Sequence, residues 1–88
     1  MIFASWKGDL DIVKYLVEQG ADINHTNFYF GSNALLVASR EGHFDVVKYL
    51  VEQGANIKHT TDYGYTPLRY ADENGHTEIV KYLIDHGA

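Results

Sequence analysis

An all-α solenoid of stacked helix-turn-helix units is the fold class this sequence predicts, and three observations predict it. The segment DIVKYLVEQGA at 11–21 recurs as DVVKYLVEQGA at 45–55 and as EIVKYLIDHGA at 78–88. The glycines that close these copies, Gly20, Gly54 and Gly87, lie 34 and 33 residues apart, and Gly8, Gly42 and Gly75 keep the same intervals. Within each copy the apolar residues fall three and four positions apart, as at Ile12, Val13, Leu16 and Val17, the spacing of one broad helical stripe. A period held along a whole chain means repeated units, none of which buries its apolar face alone.

The elements follow in order. An outer helix precedes each of Gly20, Gly54 and Gly87, which stand where a left-handed C-terminal residue is wanted. Asp9 is placed to cap the first outer helix and Thr77 the third. A shorter inner helix precedes Gly42 and Gly75, over Ala34–Glu41 and Pro67–Asn74, with Pro67 in a first turn where its missing N–H costs no hydrogen bond. Small Ala4, Ala38 and Ala71 recur on the inner helices and allow a neighbouring helix close. Met1 aligns with Leu35 and Leu68, so the chain starts inside its first inner helix. Between the pairs, two stretches of about a dozen residues rich in Asn, Thr, Asp, Gly and aromatics have no helical period and read as extended, turn-tipped β-hairpin-type loops. The one-residue insertion falls in the first, where Asn27–Gly31 answers Thr61–Gly64, as expected of a surface loop.

Composition narrows the function. At 88 residues the chain is one small domain, burying only about 60–65% of its unfolded surface. Hydrophobic residues at 45% and charged residues at 22% fit a folded, water-soluble protein. Without cysteine there are neither disulfides nor thiolate ligands, which is compatible with a reducing compartment. Seven Lys and Arg against twelve Asp and Glu give a net charge of −5, with no basic run to neutralise phosphates, so nucleic acid is not the expected partner. No secretory signal or membrane-spanning segment is visible, and the expected location is intracellular, in the cytoplasm.

Gly64-Tyr65-Thr66-Pro67-Leu68-Arg69-Tyr70-Ala71, then Gly75-His76 and Ile79 through Ala88, resembles the ankyrin repeat, and three registered copies extend that resemblance over the whole chain. The implied fold is one ankyrin-repeat domain, with repeats at 1–20, 21–54 and 55–88, the first and last incomplete. Two departures stand out. The His of the family's Thr-Pro-Leu-His tetrapeptide is replaced by Leu36 and Arg69, and its Thr-Pro pair by Asn33-Ala34 in the middle unit, which implies the loss of a link between repeats. Asn24 resembles the asparagine that asparaginyl hydroxylases modify in such repeats, although a plain polar turn residue explains it too.

End repeats of such arrays normally carry a polar outer face. Here Phe3, Ile12 and Leu16 at one end, and Ile79, Leu83 and Ile84 at the other, keep the buried pattern of the middle unit. The expectation is a piece of a longer array or, second, a homo-oligomer whose ends stack on another copy.

Nothing points to catalysis, and no cofactor or metal is expected. Of the five histidines, His25 and His59 occupy equivalent positions, as do His43 and His76, with helices of successive repeats about 8–10 Å apart, too far for one metal with bonds near 2 Å. His43 and His76 are therefore expected to cap or bridge helices, and His25, His59 and His86 to be solvated. The serines, Ser5, Ser32 and Ser39, lack the strained turn of a nucleophile elbow, and the glycines follow the repeat rather than a phosphate loop. Asp11, Asp45 and Glu78, each three residues before Lys14, Lys48 or Lys81, read as solvated ion pairs. Recurring Tyr15, Tyr49 and Tyr82 read as packing.

The aromatics that do not repeat are different in kind, because the core does not dictate them. Phe28, Tyr29 and Phe30 at the first tip, Tyr63 and Tyr65 at the second, and Trp6 and Tyr70 on inner helices are ringed by Asn27, Arg40, Glu41, Asp62, Arg69, Glu73 and Asn74. Aromatic anchors with a polar rim are what protein interfaces favour. The resemblance adds that ankyrin repeats bind proteins with hairpin tips and the concave inner-helix face, to which these residues align. Other roles are a small satellite core for Phe28 and Phe30, and cover of an exposed end for Trp6. If the net negative charge extends across the concave face, a basic partner is expected.

Overall fold

Local signals set the helix ends. In the computed structural model, which describes residues 1–27 and 31–88, six helices form in chain order: α1 (Ile2–Lys7), α2 (Leu10–Glu18), α3 (Ala34–Glu41), α4 (Phe44–Glu52), α5 (Pro67–Glu73) and α6 (Thr77–Asp85). Asp9 caps α2 by accepting the Ile12 N–H at 3.3 Å, Asn33 caps α3 through the Leu36 N–H at 2.9 Å, and Thr66 caps α5 through the Arg69 N–H at 3.1 Å. Thr77 does not cap α6. It is the first helical residue, and His76 holds the capping position without a side-chain bond. Gly8 and Gly42, at φ 78° and 84°, reverse the chain between paired helices, a left-handed conformation that favours glycine.

The inner helices α1, α3 and α5 pack in one row and the outer helices α2, α4 and α6 in a second, each inner helix also packing on the outer helix that follows it. Val13, Leu35, Val46, Val47, Leu50, Ile79 and Leu83 form the shared core. Each such side chain contributes about 1.5–3 kcal/mol by leaving water. No strand forms among the described residues. The second hairpin-type loop is closed by Thr61 N–H to Tyr65 O at 2.9 Å, and Thr61 Oγ1 accepts the N–H groups of Tyr63 and Tyr65 at 3.3 and 3.1 Å. The first is closed by Asn27 N–H to Ser32 O at 2.9 Å. No helix among the described residues is long and apolar enough to cross a membrane.

Burial depends on which side of a helix pair is covered. The middle pair has a neighbour on each side, and Leu35, Leu36, Val46, Val47 and Leu50 are fully buried. At the ends Phe3, Ile12 and Ile84 are 67%, 48% and 55% exposed, as the repeated pattern predicts. Ile79 and Leu83 are not: both are buried, because they turn inward, toward the middle pair. Tyr15 is likewise no packing residue but exposed, whereas Tyr82 stacks on His86 and meets Phe44 edge-on. The expected Asp11–Lys14, Asp45–Lys48 and Glu78–Lys81 ion pairs do not appear among the described residues. Asp45 instead accepts the Val46 N–H at 2.8 Å, and the Lys14 ammonium lies 5.7 Å from the Tyr49 ring centroid.

Candidate functional site

The surface over α3, α5 and the end of the second loop is built by residues that the core leaves free. Arg69 and Tyr70 extend from α5, Tyr65 comes from the end of the second loop, and Arg40 from the last turn of α3. They form a single four-layer stack. The Arg69 guanidinium lies 4.2 Å from the Tyr65 ring centroid, the Tyr65 and Tyr70 rings stack at 4.8 Å with planes 17° apart, and the Arg40 guanidinium lies 5.9 Å from the Tyr70 ring. Cations over aromatic faces are attracted by the ring quadrupole, by about 0.5–1 kcal/mol at exposed sites. Each arginine is held from the side as well, Arg69 Nε by Glu73 at 3.2 Å and Arg40 Nε by Glu41 at 2.9 Å. Asn74 donates its side-chain amide to the Tyr70 carbonyl at 2.8 Å and finishes the end of α5.

Trp6 does not join this stack. It packs on Phe3 at 5.8 Å at the far end of the inner row, with the Lys7 ammonium 5.6 Å from the Phe3 ring. Val37, buried between the two aromatic ends, occupies the position equivalent to Phe3 and Tyr70. At the second tip Tyr63 is 68% exposed, and Asp62 lies so near the first loop that a Cβ on Gly31 would sit 3.1 Å from its carboxylate. Phe28, Tyr29 and Phe30 lie outside the described residues. The structure thus brings together Arg40, Glu41, Tyr65, Tyr70, Glu73 and Asn74, places Asp62 and Tyr63 at the tip, and sets Trp6 apart. Phe3 was missed as a surface residue of the inner row, and its alignment with Tyr70 was the signal that finds it. Around the stack Arg40 and Arg69 are matched by Glu41 and Glu73, with Asp62 at the adjoining tip, so charges of both signs are mixed there.

Three of the histidines, His43, His59 and His76, tie the array together. His43 Nε2 bonds the Trp6 carbonyl at 2.8 Å, bridging helices as expected. His59 is not solvated: its Nε2 bonds the Gly31 carbonyl at 2.7 Å and joins the two loops. His86 turns back on its own helix, Nδ1 2.7 Å from the Tyr82 carbonyl. Among the described residues no group of three or more His, Cys, Asp or Glu converges on a metal position. Ser5, Ser32 and Ser39 are all buried, which leaves none of them open to a substrate. Exposed Asn24 accepts the Asn56 N–H on Oδ1 at 2.7 Å, a second clamp between the loops. These clamps supply links between helix pairs in a chain that lacks the tetrapeptide His.

The family model described as ankyrin repeats (3 copies) matches residues 1–88. No curated protein matches the chain.

Proposed function

The chain belongs to the ankyrin-repeat family, whose members are generally protein-protein interaction modules, and from that premise we propose that it binds a partner protein without catalysing a reaction on it. Contact is made by the concave inner-helix face and the adjoining loop tips, through Arg40, Glu41, Tyr65, Tyr70, Glu73 and Asn74, with Asp62 and Tyr63 at the second tip and Tyr29 and Phe30 at the first. Trp6 forms a separate anchor. One observation carries this reading: the Arg69–Tyr65–Tyr70–Arg40 stack stands on the surface already ordered, so little side-chain entropy is lost when a partner covers it. A shallow face of this kind suits a macromolecule better than a small molecule. The proposed setting is the cell interior, where ankyrin repeats typically act.

The test is selection of binders from a displayed protein library, followed by Tyr70→Ala with Tyr63→Ala. Loss of binding by about tenfold or more with unchanged helical circular dichroism supports the reading, and full retention refutes it. Asn24 is exposed, and its hydroxylation is proposed alongside. Intact mass after exposure to an asparaginyl hydroxylase decides that point, an unchanged mass refuting it.

A second reading, end-to-end stacking of copies, is favoured by the exposure of Phe3, Ile12 and Ile84. Light scattering across concentration tests it, and a constant monomer mass excludes it.

A further inference from the structure

We infer that the four-layer stack receives an acidic stretch of the partner, with two carboxylates up to about four residues apart in an extended chain. The inference rests on the proposed concave-face binding and names its chemistry. The chain has two arginines and five lysines, and both arginines lie in this one stack. Arginine is the cation that stacks flat on an aromatic ring while still offering a planar fork to a carboxylate, which lysine does not. Each guanidinium is engaged from the side through Nε alone, by Glu41 and by Glu73, and among the described residues no bond occupies the terminal Nη pair. That pair is the edge that binds a carboxylate by two parallel hydrogen bonds.

The neighbouring glutamates do not satisfy these cations. Both pairs are exposed, and exposed pairs contribute at most about 1 kcal/mol. They engage each guanidinium through Nε and leave the Nη edges for a second carboxylate. Composition does not explain a cationic pair here either, since the chain as a whole carries a net charge of −5. Contact distances of 4.2, 4.8 and 5.9 Å bound the separation of the two guanidinium carbons. An extended chain at ~3.4 Å per residue crosses even that upper bound in about four residues, so the two carboxylates lie no farther apart than that. Two arginines in an acidic protein are too few for a nucleic-acid backbone, which calls for a larger set of cations.

The experiment is an NMR titration of the ¹⁵N-labelled 88-residue chain. The probe is a capped Gly/Ser/Pro peptide carrying two glutamates four residues apart. Expected are saturable shifts at the Arg40 and Arg69 side-chain Nε–H groups and the Tyr65 and Tyr70 amides, weakened about tenfold or more by glutamine in the peptide or by Arg69→Lys, and several-fold by about 0.5 M salt. Glutamate and glutamine peptides of equal affinity, or no shift at these residues, overturn the inference. A lysine peptide that moves the same residues overturns it while leaving the concave-face reading standing. If a library-selected partner also leaves the concave residues unmoved, that reading falls too.

Discussion

His76 Nε2 lies 2.9 Å from the carbonyl oxygen of Arg40 and so ties the third helix pair to the second. His43 makes the same bond to Trp6 one pair earlier, at 2.8 Å. A carbonyl only accepts, so each imidazole carries its proton on Nε2. Arg40 belongs to the last turn of α3, where backbone carbonyls lack helical partners, and the histidine of the next pair supplies one.

His76→Ala removes that donor. The expected cost is about 1–2 kcal/mol. In a domain of this size about 1 kcal/mol lowers Tm by roughly 4–8 °C. Thermal unfolding followed by circular dichroism measures it, and an unchanged Tm would mean that the bond adds nothing net.

Gly42→Ala and Gly54→Ala separate two costs. Both glycines have left-handed backbone, at φ 84° and 90°, a conformation that costs a side chain about 1–2 kcal/mol. A Cβ on Gly42 would also lie 2.6 Å from His76 Cε1, whereas one on Gly54 meets open space. Gly42→Ala is therefore the more destabilising of the two in urea unfolding. Equal losses would show that the His76 ring moves aside freely.

Leu50→Ala opens a cavity at a fully buried position shared by neighbouring helices and is expected to cost about 2–5 kcal/mol, enough to unfold much of a small domain. Ile84→Ala, at a side chain 55% exposed, should cost less than about 1 kcal/mol. Chemical denaturation of the two variants side by side checks the contrast, which vanishes if Ile84 is covered by a second copy in solution.

Tyr82 titrates late. Burial first, and the nearby Glu52 carboxylate second, hold its phenol above the ordinary value near 10. The folded state therefore keeps this proton longer than the unfolded state, so the group leaves stability intact below pH 10 and reduces it as pH rises from there through the raised value. In an absorbance titration of tyrosinate, Tyr82→Phe should remove a phenol that ionises above the ordinary value. Loss of a phenol that titrates at the ordinary value would contradict this account.

The repeated helix pairs were legible from residues alone. Glycine stops, the Asp9 cap, the Pro67 first turn and the three-and-four spacing act within one or two helical turns, and they placed α2, α3 and α4 where the structure has them. The fold class followed from their recurrence. At Thr77 the local signal misled, because a hydroxyl residue beside the helix start belongs to the helix when His76 holds the capping position.

What tertiary structure decided is which equivalent residues are covered and which distant ones meet. Ile12 and Val46 occupy the same place in the period, yet one is 48% exposed and the other buried, because only Val46 has a helix pair on that side. His59 looks like a free loop histidine until stacking brings the Gly31 carbonyl within 2.7 Å. The Arg40–Tyr70 contact joins side chains 30 positions apart and exists only because α3 and α5 lie side by side. A periodic sequence specifies the unit, since helix formation is local. The surface arises between units, where solvent exclusion and side-chain contact depend on the neighbour.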